Sequence, residues 1–167
     1  MRLMIAAVVI LLAAGCSSSP QRDRGGTGAP DSGRAPRPYH DAARAQDVVR
    51  HALGYVGIPY RYGGDSAETG FDCSGLVWRV YRQTTGITLP RDTYGISRTG
   101  IAVRSRELQP GDLVFFNTMR RPYSHVGIYV GGDRFVHAPS SGGVVGVARL
   151  SNRYWRQRFN GGRRVAF

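Results

Sequence analysis

The segment GFDCSGLVWRVY, residues 70–81, predicts a helix that carries one cysteine in its first turn. From Cys73 onward the apolar residues recur at intervals of three and four, which is the stripe of an amphipathic helix. Asp72 stands at the N-cap position and Gly86 at the C-terminal stop. Free backbone N–H groups and the helix dipole favour a thiolate at Cys73, whereas a close Asp72 charge would oppose it.

The N-terminal residues are typical of an export signal. Arg2 is followed by twelve apolar residues, LMIAAVVILLAA, and then by Gly15 and Cys16. Because a helix needs about 20 apolar residues to cross a bilayer, residues 1–15 are predicted to be a signal peptide. The ending AAGC resembles a lipoprotein signal, in which the cysteine becomes the lipidated N-terminus. The alternative is ordinary secretion with cleavage near Gly15.

Composition divides the rest of the chain into a linker and one domain. Residues 16–40 are predicted to be the lipidated Cys16 and a flexible linker, because they are rich in Ser, Gly, Pro and Arg. Residues 41–167 are expected to form one domain with a hydrophobic core. The net charge is +12 and every basic residue is Arg. This favours anionic wall polymers or lipid head groups over nucleic acid, unless it reflects only genome composition and solubility.

Cys73 is left without a disulfide partner if Cys16 is lipidated. Exported proteins usually oxidise cysteines in pairs, so an unpaired one is either a buried inert residue or a reactive group. A cysteine nucleophile needs a base, usually His, and a third group that orients the base. Of the four histidines, His40 lies in the linker and His51 in a predicted N-terminal helix, residues 41–56. His125 and His137 remain as candidates.

Both candidate histidines lie in strand patterns. HVGIYV places His125, Gly127 and Tyr129 on one face, and RFVHA places Phe135 and His137 on one face. A two-residue Gly-Gly loop would put the histidines on opposite faces of the hairpin. A three-residue Gly-Gly-Asp loop would pair Gly127 with His137 and make the two histidines diagonal neighbours. A catalytic interpretation therefore requires the odd-length loop.

Several motifs in order now resemble the NlpC-type cell-wall peptidases, a papain-like group. They are IPYRYGG, DCSG, LPRDT, LQPGDLVFF, SHVGIYVG and FVHAPS, which span residues 58–140, and the resemblance extends over roughly residues 43–167. It implies that Cys73 is the nucleophile, His125 its base and His137 the orienting residue, with the N–H of Cys73 as one oxyanion donor. It also implies Tyr62 as the second oxyanion donor and Asp72 as a binding group for a substrate amine.

Further expectations follow from the resemblance. Ser74 flanks the thiol with Asp72 as a substrate-binding residue. Arg91 could bind a substrate carboxylate, but it is expected to be a plain surface residue near a helix start. The fold is expected to be α+β and papain-like, with N-terminal helices packed on an antiparallel sheet of about five strands. The substrate is the peptide part of peptidoglycan, with no cofactor or metal. The protein is expected to act as a monomer in the cell envelope, lipid-anchored at the periplasmic face of the outer membrane.

Three alternatives remain open at this stage. Cys73, His125 and His137 could bind zinc with an open fourth position, although the sequence offers no dedicated fourth ligand. The domain could hold wall peptides without cutting them, although the Cys/His/His set is intact. It could also be a related papain-like acyl transferase or amidase that acts on lipids.

Overall fold

The computed structural model describes residues 41–167, so the predicted signal peptide, Cys16 and the linker lie outside the described residues. Helix α1, Ala42–Gly54, begins at Asp41, whose carboxylate accepts the N–H of Ala43 at 2.9 Å. The helix predicted over residues 41–56 is therefore confirmed. Within the described part, no helix is long and apolar enough to cross a membrane.

Helix α2, Cys73–Thr85, has the bounds that the sequence predicts. Asp72 is its N-cap, and Gly86 ends it with a φ of 75°, a left-handed conformation that glycine adopts without steric cost. The apolar stripe of α2 is buried; its members are Leu76, Val77, Val80 and Tyr81. Burial of each such side chain contributes roughly 1.5–3 kcal/mol. The stripe therefore anchors the helix that carries the thiol.

The sheet has six strands rather than about five. They are β3 Ile101–Val103, β4 Leu113–Phe116, β5 His125–Gly131, β6 Arg134–His137, β7 Gly146–Arg149 and β8 Phe159–Arg164. Their order is β3-β8-β4-β5-β6-β7, and all neighbours are antiparallel. A two-stranded hairpin of β1 Asp65–Ser66 and β2 Gly70–Phe71 precedes α2. The short helices are α3 Thr93–Ile96, a 3₁₀ turn Ser105–Glu107 and α4 Arg153–Arg156.

Apolar residues are buried on both faces of the sheet. In β4, Leu113 and Phe115 pack in a core with α1 and α2 on one face, whereas Val114 and Phe116 pack with Phe135 on the other. This explains why β4 has no exposed residue and reads as a continuous apolar run. The α+β fold with helices on an antiparallel sheet is confirmed.

Candidate active site

The thiol of Cys73 lies at the junction of α2 and β5. Cys73 is the first residue of α2, is half-buried and is the free cysteine of the described residues. The backbone of Val126, the residue after His125, lies close enough to the sulfur to lower the pKa of the thiol. The fold therefore places the thiol at the end of the strand that carries His125.

Burial changes the acid–base state expected for this thiol. Burial raises the pKa of Cys73 to about 11, and the Asp72 charge raises it further, while backbone N–H groups, including that of Val126, lower it. The expectation that the helix terminus leaves a thiolate at rest is not supported by this environment. The resting group is a thiol, so its proton has to move when the sulfur attacks.

Asp72 and Ser74 form the frame around the thiol. Asp72 Oδ1 accepts the N–H of Gly75 at 2.6 Å and the hydroxyl of Ser74 at 2.9 Å, and Oδ2 accepts the N–H of Gly63 at 2.9 Å. A carboxylate has about four acceptor positions, so one remains for a substrate amine. Asp72 as an amine-binding group stays a prediction, while the structure shows it to be the cap of α2.

Arg91 is not the plain surface residue that the sequence indicates. Its guanidinium lies 3.7 Å from Asp72 and 3.9 Å from Asp65, and it donates to the carbonyl of Gly63 at 3.3 Å. About a third of the side chain is exposed. Arg91 thus neutralises part of the Asp72 charge beside the thiol. It also connects the β1–β2 region to the start of α2.

His125 and His137 meet on one face of the sheet. Ile128 lies opposite Val136, and continuation of this register sets Gly127 opposite His137. Nε2 of His125 lies 3.1 Å from Nδ1 of His137, and both side chains are buried. The register that a catalytic interpretation requires is therefore present.

The loop that produces this register differs from the predicted one. The turn has two residues, Gly132 and Asp133, with φ values of 57° and 66°, the combination of a type I′ hairpin. A register shift between Tyr129 and Gly131 supplies the additional residue. A β-bulge, rather than a three-residue loop, therefore brings the two histidines to the same face.

The hydrogen bond between the histidines leaves one nitrogen for the thiol proton. Nδ1 of His125 is buried and has no hydrogen-bond partner within residues 41–167. If Nε2–H of His125 donates to Nδ1 of His137, Nδ1 of His125 keeps its lone pair. A buried polar atom without a partner requires an explanation, and proton transfer with Cys73 or a substrate supplies one.

Burial keeps both imidazoles neutral. It lowers the pKa of His125 to about 3, with the neighbouring His137 as a second cause, and lowers the pKa of His137 to about 4. The resting site is therefore a neutral thiol and a neutral imidazole pair. His125 can serve as a base while His137 accepts its hydrogen bond.

Trp155 covers the histidine pair, and sequence reasoning did not identify it. Its ring stacks on His125, with centroids 5.5 Å apart, and meets the edge of His137 at 4.8 Å. Trp155 lies in α4, which Asn152 caps by accepting the N–H of Tyr154 at 2.9 Å. The only sequence signal was a tryptophan within a short, Arg-rich segment. Its packing restricts the orientation of both imidazoles and contributes to their burial.

Tyr60 and Tyr62, two residues apart in the sequence, differ in burial. Tyr62 has a side chain that is 90% exposed, whereas Tyr60 is half-buried and packs against the core cluster that includes Cys73. Burial raises the pKa of Tyr60, and the negative charge that Cys73 and Asp72 can carry raises it further. Tyr62 as oxyanion donor stays a prediction, and Tyr60, which lies in the same YRYGG motif, becomes a second candidate for that role.

The histidine geometry does not suit the zinc alternative. Nε2 of His125 and Nδ1 of His137 face each other in a hydrogen bond, so neither is directed to a shared metal. Within residues 41–167, no group of three or more Cys, His, Asp or Glu side chains could hold a metal ion. The arrangement instead offers a nucleophile, a base and a residue that orients the base. These are the groups that nucleophilic catalysis needs.

Comparisons with known proteins identify the family of this chain. The profile of the NlpC/P60 family matches residues 57–164. The chain is similar to murein DD-endopeptidase MepH of Escherichia coli, with 43% identity over 131 residues that cover 74% of this chain and 48% of that protein. The gamma-DL-glutamyl hydrolase of Bacillus subtilis is 43% identical over 118 residues, which cover 70% of this chain and 28% of that protein.

A solved structure shares the fold. The crystal structure of a protein from Staphylococcus aureus, described as similar to lipoproteins of the NLP/P60 family, aligns with a TM-score of 0.70 and 38% identity, covering 80% of this chain and 45% of that one. The chain spans about half the length, or less, of these relatives. The family match extends across most of the folded region, and the chain belongs to the NlpC/P60 family.

Proposed function

We propose that the protein is a cysteine endopeptidase that hydrolyses amide bonds in the stem or cross-link peptides of peptidoglycan. The observation that carries this proposal is the buried His125–His137 hydrogen bond, which leaves Nδ1 of His125 without a partner at the strand end that adjoins the Cys73 thiol. The names of the relatives, a murein DD-endopeptidase and a gamma-DL-glutamyl hydrolase, support a cell-wall peptide as substrate.

The first half of the reaction forms an acyl-enzyme. Nδ1 of His125 takes the thiol proton as the sulfur of Cys73 attacks the scissile carbonyl carbon. The resulting imidazolium gives that proton to the leaving amine as the carbon–nitrogen bond breaks. His137 accepts the Nε2–H of His125 throughout, which holds the ring in the tautomer that the reaction needs.

The second half restores the thiol. Water gives a proton to Nδ1 of His125 while its oxygen attacks the thioester carbonyl. As the carbon–sulfur bond breaks, that proton passes to sulfur, and the product leaves as a carboxylic acid that ionises in solvent. In both halves the negative oxygen of the tetrahedral intermediate needs donors. We assign the backbone N–H of Cys73 and the hydroxyl of Tyr60 to this role, with Tyr62 left as an exposed contact for substrate.

Two bonds are candidates for cleavage. They are the D-glutamyl–diamino-acid link of the stem and the D-alanyl–diamino-acid link of the cross-link. Mass spectrometry of muropeptides before and after digestion tests the proposal and assigns the bond, because each cut gives fragments of different mass. Binding of muropeptides with no new fragments would instead favour a non-catalytic wall-peptide module, and transfer of an acyl group to an added amine would favour an acyl transferase.

We also propose that Cys16 anchors the protein to a membrane of the cell envelope, with the domain at the periplasmic face of the outer membrane. The support is the sequence around Cys16, since residues 1–40 lie outside the described residues. Membrane fractionation of wild type and Cys16→Ala tests it. The wild type should sediment with membranes and Cys16→Ala should not, while the purified variant should keep its activity as a monomer. A wholly soluble wild type would contradict the anchor.

A further inference from the structure

The loop between β4 and β5, residues 117–124, has an unusual backbone directly before His125. Arg120 and Tyr123 have φ values of 57° and 56°, which residues other than glycine rarely adopt. The loop is nevertheless fixed, since the Ser124 hydroxyl oxygen accepts the N–H of Thr118 at 2.9 Å. Backbone in such conformations persists only where its surroundings hold it, and it is concentrated at functional sites.

Two pockets adjoin this loop. One of about 310 Å³ is lined in part by His125, Trp155 and Thr118. The other, of about 480 Å³, is lined by Thr118 together with Asn117, Arg120, Gln157 and Arg158. Since Thr118 lines both, the pockets adjoin at that residue. A larger pocket of about 820 Å³ lies along β3 and β8, and none of the predicted site residues lines it.

The position of His125 assigns these pockets to one side of the scissile bond. In the proposed reaction His125 gives its proton to the leaving amine, so that amine must lie close to His125. The pocket that His125 lines is therefore on the side of the residue that supplies the amine. The hydroxyl of Thr118, buried and without a hydrogen-bond partner in the described part of the chain, lies at the boundary of the two pockets.

The second pocket carries positive charge without a matching acid. No Asp or Glu lines either pocket, and neither Arg120 nor Arg158 belongs to an ion pair formed within residues 41–167. Arg158 donates to the carbonyl of Tyr154 at 3.1 Å, and its guanidinium lies 3.9 Å from the centre of that ring. This contact fixes the Arg158 head group while its other N–H donors stay available.

We propose that Arg120 and Arg158 form a subsite that binds a free carboxylate of the residue that supplies the leaving amine. The inference rests on the proposed function, in which that residue is the diamino acid of the stem peptide. Arginine binds carboxylates through two parallel N–H donors. An arginine pair can therefore select a carboxylate by its geometry, which a diffuse positive surface cannot do. A carboxamide at the same atom offers no charge, so the subsite distinguishes amidated from non-amidated wall peptides.

The test uses two muropeptides that differ only in a carboxylate or a carboxamide on the diamino acid. Wild type should show a kcat/KM that is about tenfold to hundredfold higher for the carboxylate form. In Arg120→Gln and Arg158→Gln this preference should fall toward one. Arg121→Gln and Arg153→Gln are matched controls, because both residues are exposed, neighbour the subsite in sequence and line neither pocket. Both controls should keep the wild-type preference.

Each result has a defined meaning. Equal kcat/KM of the wild type for the two substrates, or an equal loss of preference in the controls, would overturn the subsite and leave the proposed function standing. Cleavage of neither substrate by the wild type would overturn the proposed function and the subsite with it. Melting temperatures close to that of the wild type show that the variants fold, and for Arg158→Gln the preference ratio, unlike total activity, does not depend on the folded fraction.

Discussion

Nε2 of His125 and Nδ1 of His137 lie 3.1 Å apart in a buried hydrogen bond. This contact determines which nitrogen of each ring takes part in the hydrogen bond and which remains for proton transfer. His125 has only Nδ1 left to exchange a proton with Cys73, and His137 contributes through the ring nitrogen nearest its own backbone. The pair therefore acts as a base and a residue that positions the base, and the following predictions depend on those atom assignments.

Substitution of His137 by Asn or by Gln should affect activity differently, because the two amide side chains differ in length. The Oδ1 atom of Asn lies two bonds from Cβ, as Nδ1 of His does, whereas Oε1 of Gln lies three bonds away. His137→Asn should therefore keep kcat/KM within about tenfold of wild type, while His137→Gln loses more. His137→Ala should lose about 10²- to 10⁴-fold, because His125 can then adopt the wrong tautomer.

The readouts for this series are muropeptide cleavage, thiol alkylation and melting temperature on the same three variants. Alkylation should change less than cleavage, because it needs the thiol but not a correctly oriented base. Equal losses of cleavage in Asn and Ala, or losses that follow the melting temperature alone, would remove His137 from the catalytic group.

The raised pKa of Cys73 predicts how the free enzyme reacts with iodoacetamide. Because the thiolate is the reactive form and the pKa is raised to about 11, the rate should increase about tenfold per pH unit from neutral pH upward. It should not level off between pH 6 and pH 9. A plateau near neutral pH would instead show a resting thiolate, as the position of Cys73 at a helix N-terminus favours on its own.

Tyr60 and Tyr62 provide a matched pair of substitutions. Tyr60→Phe removes the proposed oxyanion donor and should lower kcat by about 10²- to 10³-fold. Tyr62→Phe should change kcat by much less, since its side chain is 90% exposed. Steady-state kinetics on one muropeptide measures both. A larger loss in Tyr62→Phe would favour Tyr62, the donor that the family resemblance implies.

Asp72 should be important for stability because it caps α2 and holds Gly63. Asp72→Ala should lower the free energy of unfolding by about 1–3 kcal/mol in urea denaturation. Asp92→Ala is the comparison, because Asp92 accepts the N–H of Gly95 at 2.7 Å but caps only a helix of four residues. Equal effects of the two substitutions would show that the contacts of Asp72 beyond its cap add nothing.

Local signals predicted the helical part of the site. The bounds of α2 depend on Asp72, the apolar stripe and Gly86, all within fifteen residues, so they could be predicted from the sequence. The same holds for the side of β5 on which His125 lies, since alternation fixes it once the strand is recognised. The resemblance added the roles of Cys73, His125 and His137, which periodicity does not provide.

Features that depend on distant contacts were missed. The edge strands β3 and β7 have three and four residues and gain their structure from β8 and β6, so the strand count was too low. The bulge before Gly131 and the contact of Trp155 with the histidines also form only in the folded sheet. Which of Tyr60 and Tyr62 turns its side chain toward the core also depends on such contacts.

The measurement that tests the central claim most directly compares muropeptide cleavage by wild type, Cys73→Ala and Cys16→Ala, with melting temperatures for each purified protein. Wild type and Cys16→Ala should both produce the shorter peptides, and Cys73→Ala should lose at least about 10⁴-fold of the rate while melting within a few degrees of wild type. Cleavage by a folded Cys73→Ala at the wild-type rate would contradict the mechanism.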